Sequence, residues 1–305
     1  MIGTIKPAIL VLGATGTVGR AAVKAAVEAG WPVVAVARDR QGLTLLERQF
    51  AGADLRTLSA DVANDKGAIT LVAELKRIAR PFLGVIAAFG TGGERGRLID
   101  QSSEELRRNF DEAVLPHLIA ARHLLPWLAA SGRNCGYVMI GGPGGRNPWA
   151  GYGHRSISAA ALRMLARVLH DEARTHAVRL QLLEVESPAR TATNEKHACL
   201  NWPCVDRIGR KALELLQHRN DMRCPHAIVD FHDIVDRESA PDRLTLEPND
   251  APQSVPTQIQ PQETGCGTSA FHARCAEDVR RLLDAVASRF SPSHTADNNN
   301  QEHFK

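Results

Sequence analysis

Three glycines near the beginning of the chain have a spacing that could hold a dinucleotide. Gly13, Gly16 and Gly19 follow the apolar run Ile9 to Leu12 and precede a helix-compatible stretch, residues 21–29. In such a strand–turn–helix, the first glycine permits a tight turn, the second lets the backbone approach a diphosphate, and the third lets the helix pack near the strand. N–H groups and the dipole at the helix start favour the negative charge. The sequence therefore predicts a diphosphate-binding loop.

The residues after the second predicted strand bear on the type of dinucleotide. Val33 to Ala37 forms that strand, and Arg38, Asp39 and Arg40 follow it. At this point of a βαβ unit, an acidic residue would bind the ribose 2′-hydroxyl of NAD(H), whereas an arginine suits the 2′-phosphate of NADP(H). Because Arg38 comes first and Arg40 adds positive charge, the sequence favours NADP(H) over NAD(H).

The elements that must position these residues alternate between strands and helices. Further strands are predicted at 55–59, 85–89, 137–140, 180–185 and 227–231, and helices at 43–50, 65–79, 103–128, 158–175 and 205–217. The helix at 103–128 is expected to kink near Pro116 and to end near Pro126. This alternation indicates an α/β fold, a Rossmann-like doubly wound parallel sheet in a three-layer α/β/α arrangement.

Composition and charge argue against several classes of partner. The net charge of the 305 residues is +3, and no long basic run suggests nucleic acid. No apolar run reaches the ~18 residues of a membrane span. Residues 1–7 are too few for a secretory signal, so a cytoplasmic location is expected. The six cysteines lack zinc-knuckle spacing, and we predict no metal site.

The sequence predicts four regions. Residues 1–237 carry the NAD(P)-binding pattern. Residues 238–275 are rich in Pro, Gln and Thr and predict a disordered linker, because they cannot bury enough apolar surface to offset their ordering entropy. Residues 276–290 have the spacing of an amphipathic helix, and residues 291–305 predict a disordered tail.

The order of these landmarks resembles the short-chain dehydrogenase/reductase family over roughly residues 8–231. Asp61-Val62 matches the pair beside the adenine ring, and Ala87-Ala88-Phe89-Gly90 stands where most members have Asn-Asn-Ala-Gly. Pro188 to Thr193 resembles the loop whose threonine binds the nicotinamide amide. With the glycine motif, the resemblance implies these cofactor-binding residues: Gly13, Thr15, Gly16, Thr17, Val18, Gly19, Arg38, Asp61, Val62, Ala87, Ala88, Phe89, Gly90, Pro188 and Thr193.

The four catalytic residues of the family are absent at the matching positions. Counting along the helices and strands puts Ala113 at the asparagine position, Gly142 at the serine, Arg155 at the tyrosine and Ala159 at the lysine. The chain therefore resembles a divergent, atypical member. The carbonyl reduction that is usual in the family needs a tyrosine acid with a lowered pKa. The absence of that tyrosine puts this reaction in doubt here.

Three neighbouring polar residues are candidates to replace the missing groups: Tyr152, His154 and Arg155. Tyr152 lies one helical turn before Arg155, whose charge could lower the pKa of the phenol or bind the ribose. His154 could act as an acid or base near neutral pH. The alternatives are a packed loop aromatic for Tyr152 and an exposed turn residue for His154.

The resemblance implies an NADP(H)-binding oxidoreductase that acts on a small-molecule carbonyl, alcohol or enone. Two alternatives stay open. One is a non-catalytic NADP(H)-binding sensor or partner subunit, similar to NmrA-like regulators, and the other is an isomerase or cyclase on the same scaffold. Family members commonly pair through two long helices, here about 103–128 and 156–175, which implies a homodimer or tetramer.

Overall fold

One parallel sheet runs through the part of the chain that the computed structural model describes, residues 5–78, 80–90, 92, 95–131, 134–218 and 226–231. Its strands are β1 (Ala8–Leu12), β2 (Val33–Ala37), β3 (Leu55–Ser59), β4 (Phe82–Ala87), β5 (Cys135–Gly141), β6 (Val178–Glu184) and β7 (Ile228–Asp230). The strand order is β3-β2-β1-β4-β5-β6-β7, and every neighbouring pair is parallel. The predicted Rossmann-like doubly wound sheet is confirmed.

Helices connect the strands and cover both faces of the sheet. They are α1 (Thr17–Glu28), α2 (Arg40–Gln49), α3 (Asp65–Lys76), α4 (Ser103–Ala113), α5 (Leu115–Ala129), α6 (Gly153–Ala173) and α7 (Val205–Gln217). Short 3₁₀ turns lie at Leu98–Asp100 and Arg174–His176.

Strand β1 shows why the sheet is buried on both faces. Its side chains alternate between two apolar clusters, because successive residues of a strand point to opposite faces. Leu10 and Leu12 pack in one cluster with Leu71 of α3, Leu124 of α5 and Leu162 of α6. Ile9 and Val11 pack in the other with Val23 of α1, Leu46 of α2 and Ile208 of α7. A continuous apolar run is the expected sequence for such a strand.

The single helix predicted at 103–128 is two helices that meet at Val114. Pro116 stands in the first turn of α5, where its missing N–H and fixed φ are tolerated. A helix continuing from α4 would place the Pro116 ring against a carbonyl four residues earlier, so α4 ends first. Pro126 does not end α5 as predicted, because the helix continues through it to Ala129, one residue beyond the predicted bound of 128.

Helix α6 begins at Gly153, five residues before its predicted start. The sequence from Gly153 to Ile157 contains residues of modest helix propensity, which hid the first turn. His154 and Ser156 are nevertheless buried there, so tertiary packing stabilises the turn. The early start places Arg155 on the helix and not in a loop.

The predicted linker at 238–275, helix at 276–290 and tail at 291–305 lie outside the described residues.

Candidate functional site

The turn between β1 and α1 has no room for a side chain at two positions. Gly13 has φ +70°, and a Cβ there would overlap the carbonyl oxygen of Ala88 at the end of β4. A Cβ on Gly19 would overlap the carbonyl oxygen of Gly13. The turn therefore packs tightly and holds the start of α1 beside the carboxyl ends of β1 and β4.

The start of α1 is an anion-binding arrangement. Gly16 is the N-cap, no side chain caps the helix, and its first turn holds no acidic residue. Arg20 donates from Nε to the carbonyl oxygen of Thr15 at 2.7 Å, which fixes the turn. The first N–H groups of a helix have no intrahelical acceptor, and the dipole there favours negative charge. These residues fit a diphosphate.

A cavity of about 600 Å³ opens at the carboxyl edge of the sheet. The ends of six strands reach it, through Leu12, Ala37, Ala60, Ala88, Gly141 and Val185. This edge is where ligands bind in open α/β sheets. Most of the predicted cofactor residues line it: Gly13, Thr15, Gly16, Thr17, Val18, Arg38, Asp61, Val62, Ala88, Phe89, Gly90 and Pro188.

Three predicted cofactor residues do not line the cavity. Gly19 and Ala87 are buried, and their part is to let the elements around the cavity pack closely. Thr193 is exposed, and its Oγ1 lies 2.9 Å from Oγ1 of Thr191 within the turn after Pro188. The threonine expected at the nicotinamide is thus engaged with its own turn.

Arg38 and Asp39 both stand at the edge of the cavity beside the end of β2. Both are exposed, and Asp39 is the N-cap residue of α2 without a side-chain cap bond. Arg40 does not line the cavity, and its Nε donates to Oγ of Ser59 at 3.3 Å. A positive and a negative side chain therefore flank the place where a ribose 2′-substituent would lie.

The four residues that the sequence comparison matched to the family's catalytic positions all lie on one cavity. Ala113 at the end of α4, Gly142 after β5, and Arg155 and Ala159 on α6 all line the cavity. A Cβ on Gly142 would meet nothing within 4 Å, so this part of the wall is open space. Three of these four positions carry no functional group, and Arg155 supplies a permanent positive charge.

Arg155 is positioned by two aromatic rings. The rings of Trp149 and Tyr152 lie with centroids 4.2 Å apart and planes tilted by 31°. The Arg155 guanidinium carbon lies 5.8 Å from the centre of the first ring and 5.4 Å from that of the second. Its Nε donates to the carbonyl oxygen of Gly92 at 3.3 Å. The Trp149 N–H donates to Oγ of Ser156 at 2.8 Å, which ties the aromatic pair to α6. Cation–π contacts at these distances stabilise the guanidinium in this position.

The other two candidate acid–base residues, Tyr152 and His154, are not on the cavity wall. His154 is fully buried, and neither ring nitrogen has a hydrogen-bond partner among the described residues. Burial, together with the charge of Arg155, lowers the pKa of His154 below its ordinary value, so the ring is neutral at pH 7. Of the three candidates, Arg155 alone lines the cavity.

Polar groups that the sequence did not single out also line the cavity. Ser158 follows Arg155 by one helical turn, and its buried Oγ has no hydrogen-bond partner among the described residues. Asp111 and Glu112, at the end of α4, stand on the same cavity. The helical spacing of Ser158 from Arg155 was the available signal, but the late predicted start of α6 concealed it.

The loop after β5 is anchored by a buried carboxylate. Glu184, at the end of β6, is 2% exposed and accepts from Arg146 Nε at 3.0 Å and from Arg163 of α6. Arg146 also pairs with Asp230 of β7. The pairing joins the loop, α6 and two strands, so it fixes the wall that carries Gly142.

Two further classes of site are not found in the described part of the chain. No group of three or more His, Cys, Asp or Glu side chains there could hold a metal ion. No described helix is both long enough and apolar enough to cross a membrane.

The match to a known family covers most of this fold and the cavity. The family model for short chain dehydrogenase matches residues 7–198. The chain belongs to this family. Among curated proteins, none matches the sequence significantly.

Solved structures of short-chain dehydrogenases and related reductases share the fold. A Burkholderia thailandensis oxidoreductase of the family is 21% identical, with a TM-score of 0.64 over 74% of this chain and 92% of its own. A Sphingobium yanoikuyae short-chain dehydrogenase in complex with NADPH is 21% identical, with a TM-score of 0.58 over 73% and 87%. A 3-ketoacyl-(acyl-carrier-protein) reductase of Brucella melitensis, complexed with NADH, is 16% identical, with a TM-score of 0.63 over 73% and 96%.

Proposed function

We propose that this short-chain dehydrogenase binds a nicotinamide dinucleotide in the cavity, with NADP(H) preferred to NAD(H). The proposal rests on the start of α1, which lies on the cavity wall and has no side-chain cap. Without a bound dinucleotide, the N–H groups there would face no anion. The family relatives that hold NADPH and NADH have the same fold, which supports it.

The residues on the wall divide the cavity into parts suited to different groups. The backbone from Gly16 to Val18 would hold the diphosphate, and Arg38 would pair with a 2′-phosphate. The buried side chain of Val62 would cover one face of the adenine, with Asp61 at its edge. Phe89 and Pro188, which also line the cavity, would lie beside the nicotinamide.

We further propose an oxidoreductase with a divergent site that acts on a small-molecule carbonyl, alcohol or enone. Bound NADP(H) supplies or accepts a hydride. Arg155 would bind the substrate and orient it beside the nicotinamide, at the position that the sequence matches to the family's tyrosine. A guanidinium does not lose its proton at neutral pH, so Arg155 orients the substrate without transferring a proton. The proton that accompanies the hydride would be exchanged with solvent water.

A second candidate function is a dinucleotide-binding sensor or partner subunit that does not turn over. It is favoured by the apolar or absent side chains at Ala113, Gly142 and Ala159, and by the turn that engages Thr193. Binding of the cofactor would then change stability or association without chemistry.

Hydride transfer separates the two candidates. The full chain is incubated with NADPH deuterated at the nicotinamide C4 and with a panel of ketones, aldehydes and enones, and products are analysed by mass spectrometry. The oxidoreductase proposal expects deuterium in a product, with the rate lowered at least about tenfold in Arg155→Gln, the loss expected of one charged hydrogen bond. Tight NADPH binding without transfer to any of the panel would favour the sensor.

We also propose that the protein self-associates through α5 and α6. Both helices expose large apolar side chains, among them Leu115 and Leu118 on α5 and Met164 and Val168 on α6. Size-exclusion chromatography with light scattering tests this, and a monomer at micromolar concentration would contradict it.

A further inference from the structure

Ser158 is a buried hydroxyl with nothing to bind in the described structure. Its residue is 3% exposed, and Oγ has no hydrogen-bond partner among the described residues. A serine in a helix commonly bonds back to a carbonyl of the preceding turn, yet Ser158 does not. Because an unmade buried hydrogen bond costs roughly 1–3 kcal/mol, such a group calls for a partner. Ser158 is one of the residues that line the cavity, so a ligand there can provide a partner once the Oγ turns towards it.

Arg155 stands on the same face of α6 as Ser158. The two residues are three apart, and residues at this spacing are neighbours on a helix surface. Ala159 and Leu162 complete the stripe of α6 that lines the cavity, and neither offers a polar side chain. On this stripe the guanidinium and the hydroxyl are therefore the side-chain groups that can bind a ligand through hydrogen bonds.

A carboxylate matches this pair chemically. A guanidinium presents a planar fork of donors that fits the two oxygens of a carboxylate, and a hydroxyl can donate to one of them. Cation–π contacts with Trp149 and Tyr152 favour this position of the guanidinium before a ligand arrives. Trp149 also lines the cavity, so a flat apolar surface adjoins the charged group.

The acidic residues of α4 limit the charge that the site accepts. Asp111 and Glu112 line the same cavity, and they would repel a ligand of high negative charge. This repulsion is weaker for a singly charged carboxylate than for a phosphate dianion. Next to these acidic residues a carboxylate is therefore favoured over a phosphate dianion, whereas the phosphates of the dinucleotide would lie at the start of α1 and at Arg38.

We infer that the substrate end of the cavity binds a small molecule through a carboxylate, held by Arg155 and Ser158. The inference names the substrate class of the proposed oxidoreductase and so rests on that function. Ser158 is a binding residue in this arrangement, and Arg155 sets the orientation of the carboxylate relative to the nicotinamide.

Benzoate is a suitable probe because it joins a carboxylate to a flat apolar ring. Its dissociation constant is measured by titration calorimetry on the full chain, with and without saturating NADPH, beside benzamide and inorganic phosphate. The variants are Arg155→Gln, Arg155→Lys and Ser158→Ala. Arg167→Gln is the matched control, since Arg167 lies exposed on the same helix, outside the cavity lining. Melting temperatures verify that each variant folds.

Wild type and Arg167→Gln should bind benzoate equally, and benzamide and phosphate more weakly. The affinity for benzoate should fall about tenfold or more in Arg155→Gln, less in Arg155→Lys, and about threefold or more in Ser158→Ala, as expected for charged and neutral hydrogen bonds. Absence of benzoate binding, equal binding of benzamide, tighter binding of phosphate, or equal affinities in Arg155→Gln and Arg167→Gln would each overturn the inference.

The same samples separate this inference from the proposed function. NADPH binding is followed independently by its fluorescence. A protein that binds benzoate at Arg155 but no NADPH would refute the cofactor proposal and leave the carboxylate site standing. A protein that binds NADPH but no benzoate would refute the carboxylate site and leave the cofactor proposal standing.

Discussion

The guanidinium carbon of Arg155 lies 5.4 Å from the centre of the Tyr152 ring, and Arg155 is the residue that the sequence comparison matches to the family's catalytic tyrosine. The ring of Tyr152 thus supports the charge on the cavity wall, while Tyr152 itself is not among the cavity-lining residues. We therefore expect the aromatic ring of Tyr152, and not its hydroxyl, to contribute to the site, by holding the Arg155 guanidinium.

Substitutions at Tyr152 test that assignment. Tyr152→Phe keeps the ring and should bind benzoate within about twofold of wild type. Tyr152→Ala removes a cation–π contact of about 0.5–1 kcal/mol and should weaken benzoate about two- to fivefold. Calorimetric titration gives both values. If a turnover assay is found and Tyr152→Phe abolishes it, the hydroxyl takes part in the chemistry and the assignment is wrong.

Two glycines with different surroundings should differ in their tolerance of a side chain. Gly19→Ala forces a Cβ into the carbonyl of Gly13 and should lower the free energy of unfolding by about 1–3 kcal/mol, a typical cost of overpacking. Gly142→Ala places its Cβ in open space and should stay within about 0.5 kcal/mol of wild type. Urea denaturation measures both. Equal effects would mean that the turn is not packed as described.

The preference for NADP(H) depends on Arg38. Arg38→Ala should raise the dissociation constant for NADPH about tenfold or more, the worth of a charge-assisted hydrogen bond, and leave that for NADH nearly unchanged. Arg40→Ala is the matched control, because Arg40 lies outside the cavity lining and bonds to Ser59. Fluorescence titrations with both cofactors measure these dissociation constants. An equal loss of affinity for NADPH and NADH would show that Arg38 does not bind the 2′-phosphate.

His117 makes stability depend on pH. It is fully buried with its ring edge-on to Phe89, centroids 4.9 Å apart, and burial lowers the pKa of His117 from 6.5 to about 3. Between these pKa values the unfolded chain binds a proton that the folded chain does not. His117 therefore favours folding above pH 6.5 and costs progressively more as the pH falls towards 3.

The size of this effect follows from the shift. At pH 5 the loss attributable to His117 should be about 2 kcal/mol relative to pH 7, at 1.36 kcal/mol per pH unit. His117→Phe keeps an aromatic contact and should reduce the pH dependence by that amount in urea denaturations at the two pH values. An unchanged difference between pH 7 and pH 5 would show that the imidazole is not buried in the folded protein.

The sequence predicts much of the fold because its local signals agree with packing. The spacing of apolar residues along one face predicts a helix at 205–217, and α7 has those bounds. The glycine turn and the carboxyl-edge cavity follow from the strand–turn–helix pattern in the same way. Counting along the elements also places Ala113, Gly142, Arg155 and Ala159 on one cavity.

The parts that sequence reasoning missed depend on contacts distant along the chain. The first turn of α6 forms because His154 and Ser156 are buried, which residue propensities do not encode. The hydroxyl of Thr193 bonds to that of Thr191 in a segment that is shaped by a distant contact. Arg190, just before this segment, forms a β-bridge with Cys204, which lies eleven residues after Thr193. The unpartnered Oγ of Ser158 is a property of the packed site and has no local signature.

The measurement that tests the account most directly is a titration of the full chain with NADPH. Trp149 lines the cavity, so bound NADPH should quench tryptophan emission and gain its own fluorescence through energy transfer. The account predicts saturation at one NADPH per chain, with displacement by 2′-phosphoadenosine 5′-diphosphoribose. A linear response without saturation, and no rise in melting temperature at millimolar NADPH, would contradict the claim that this cavity binds a nicotinamide dinucleotide.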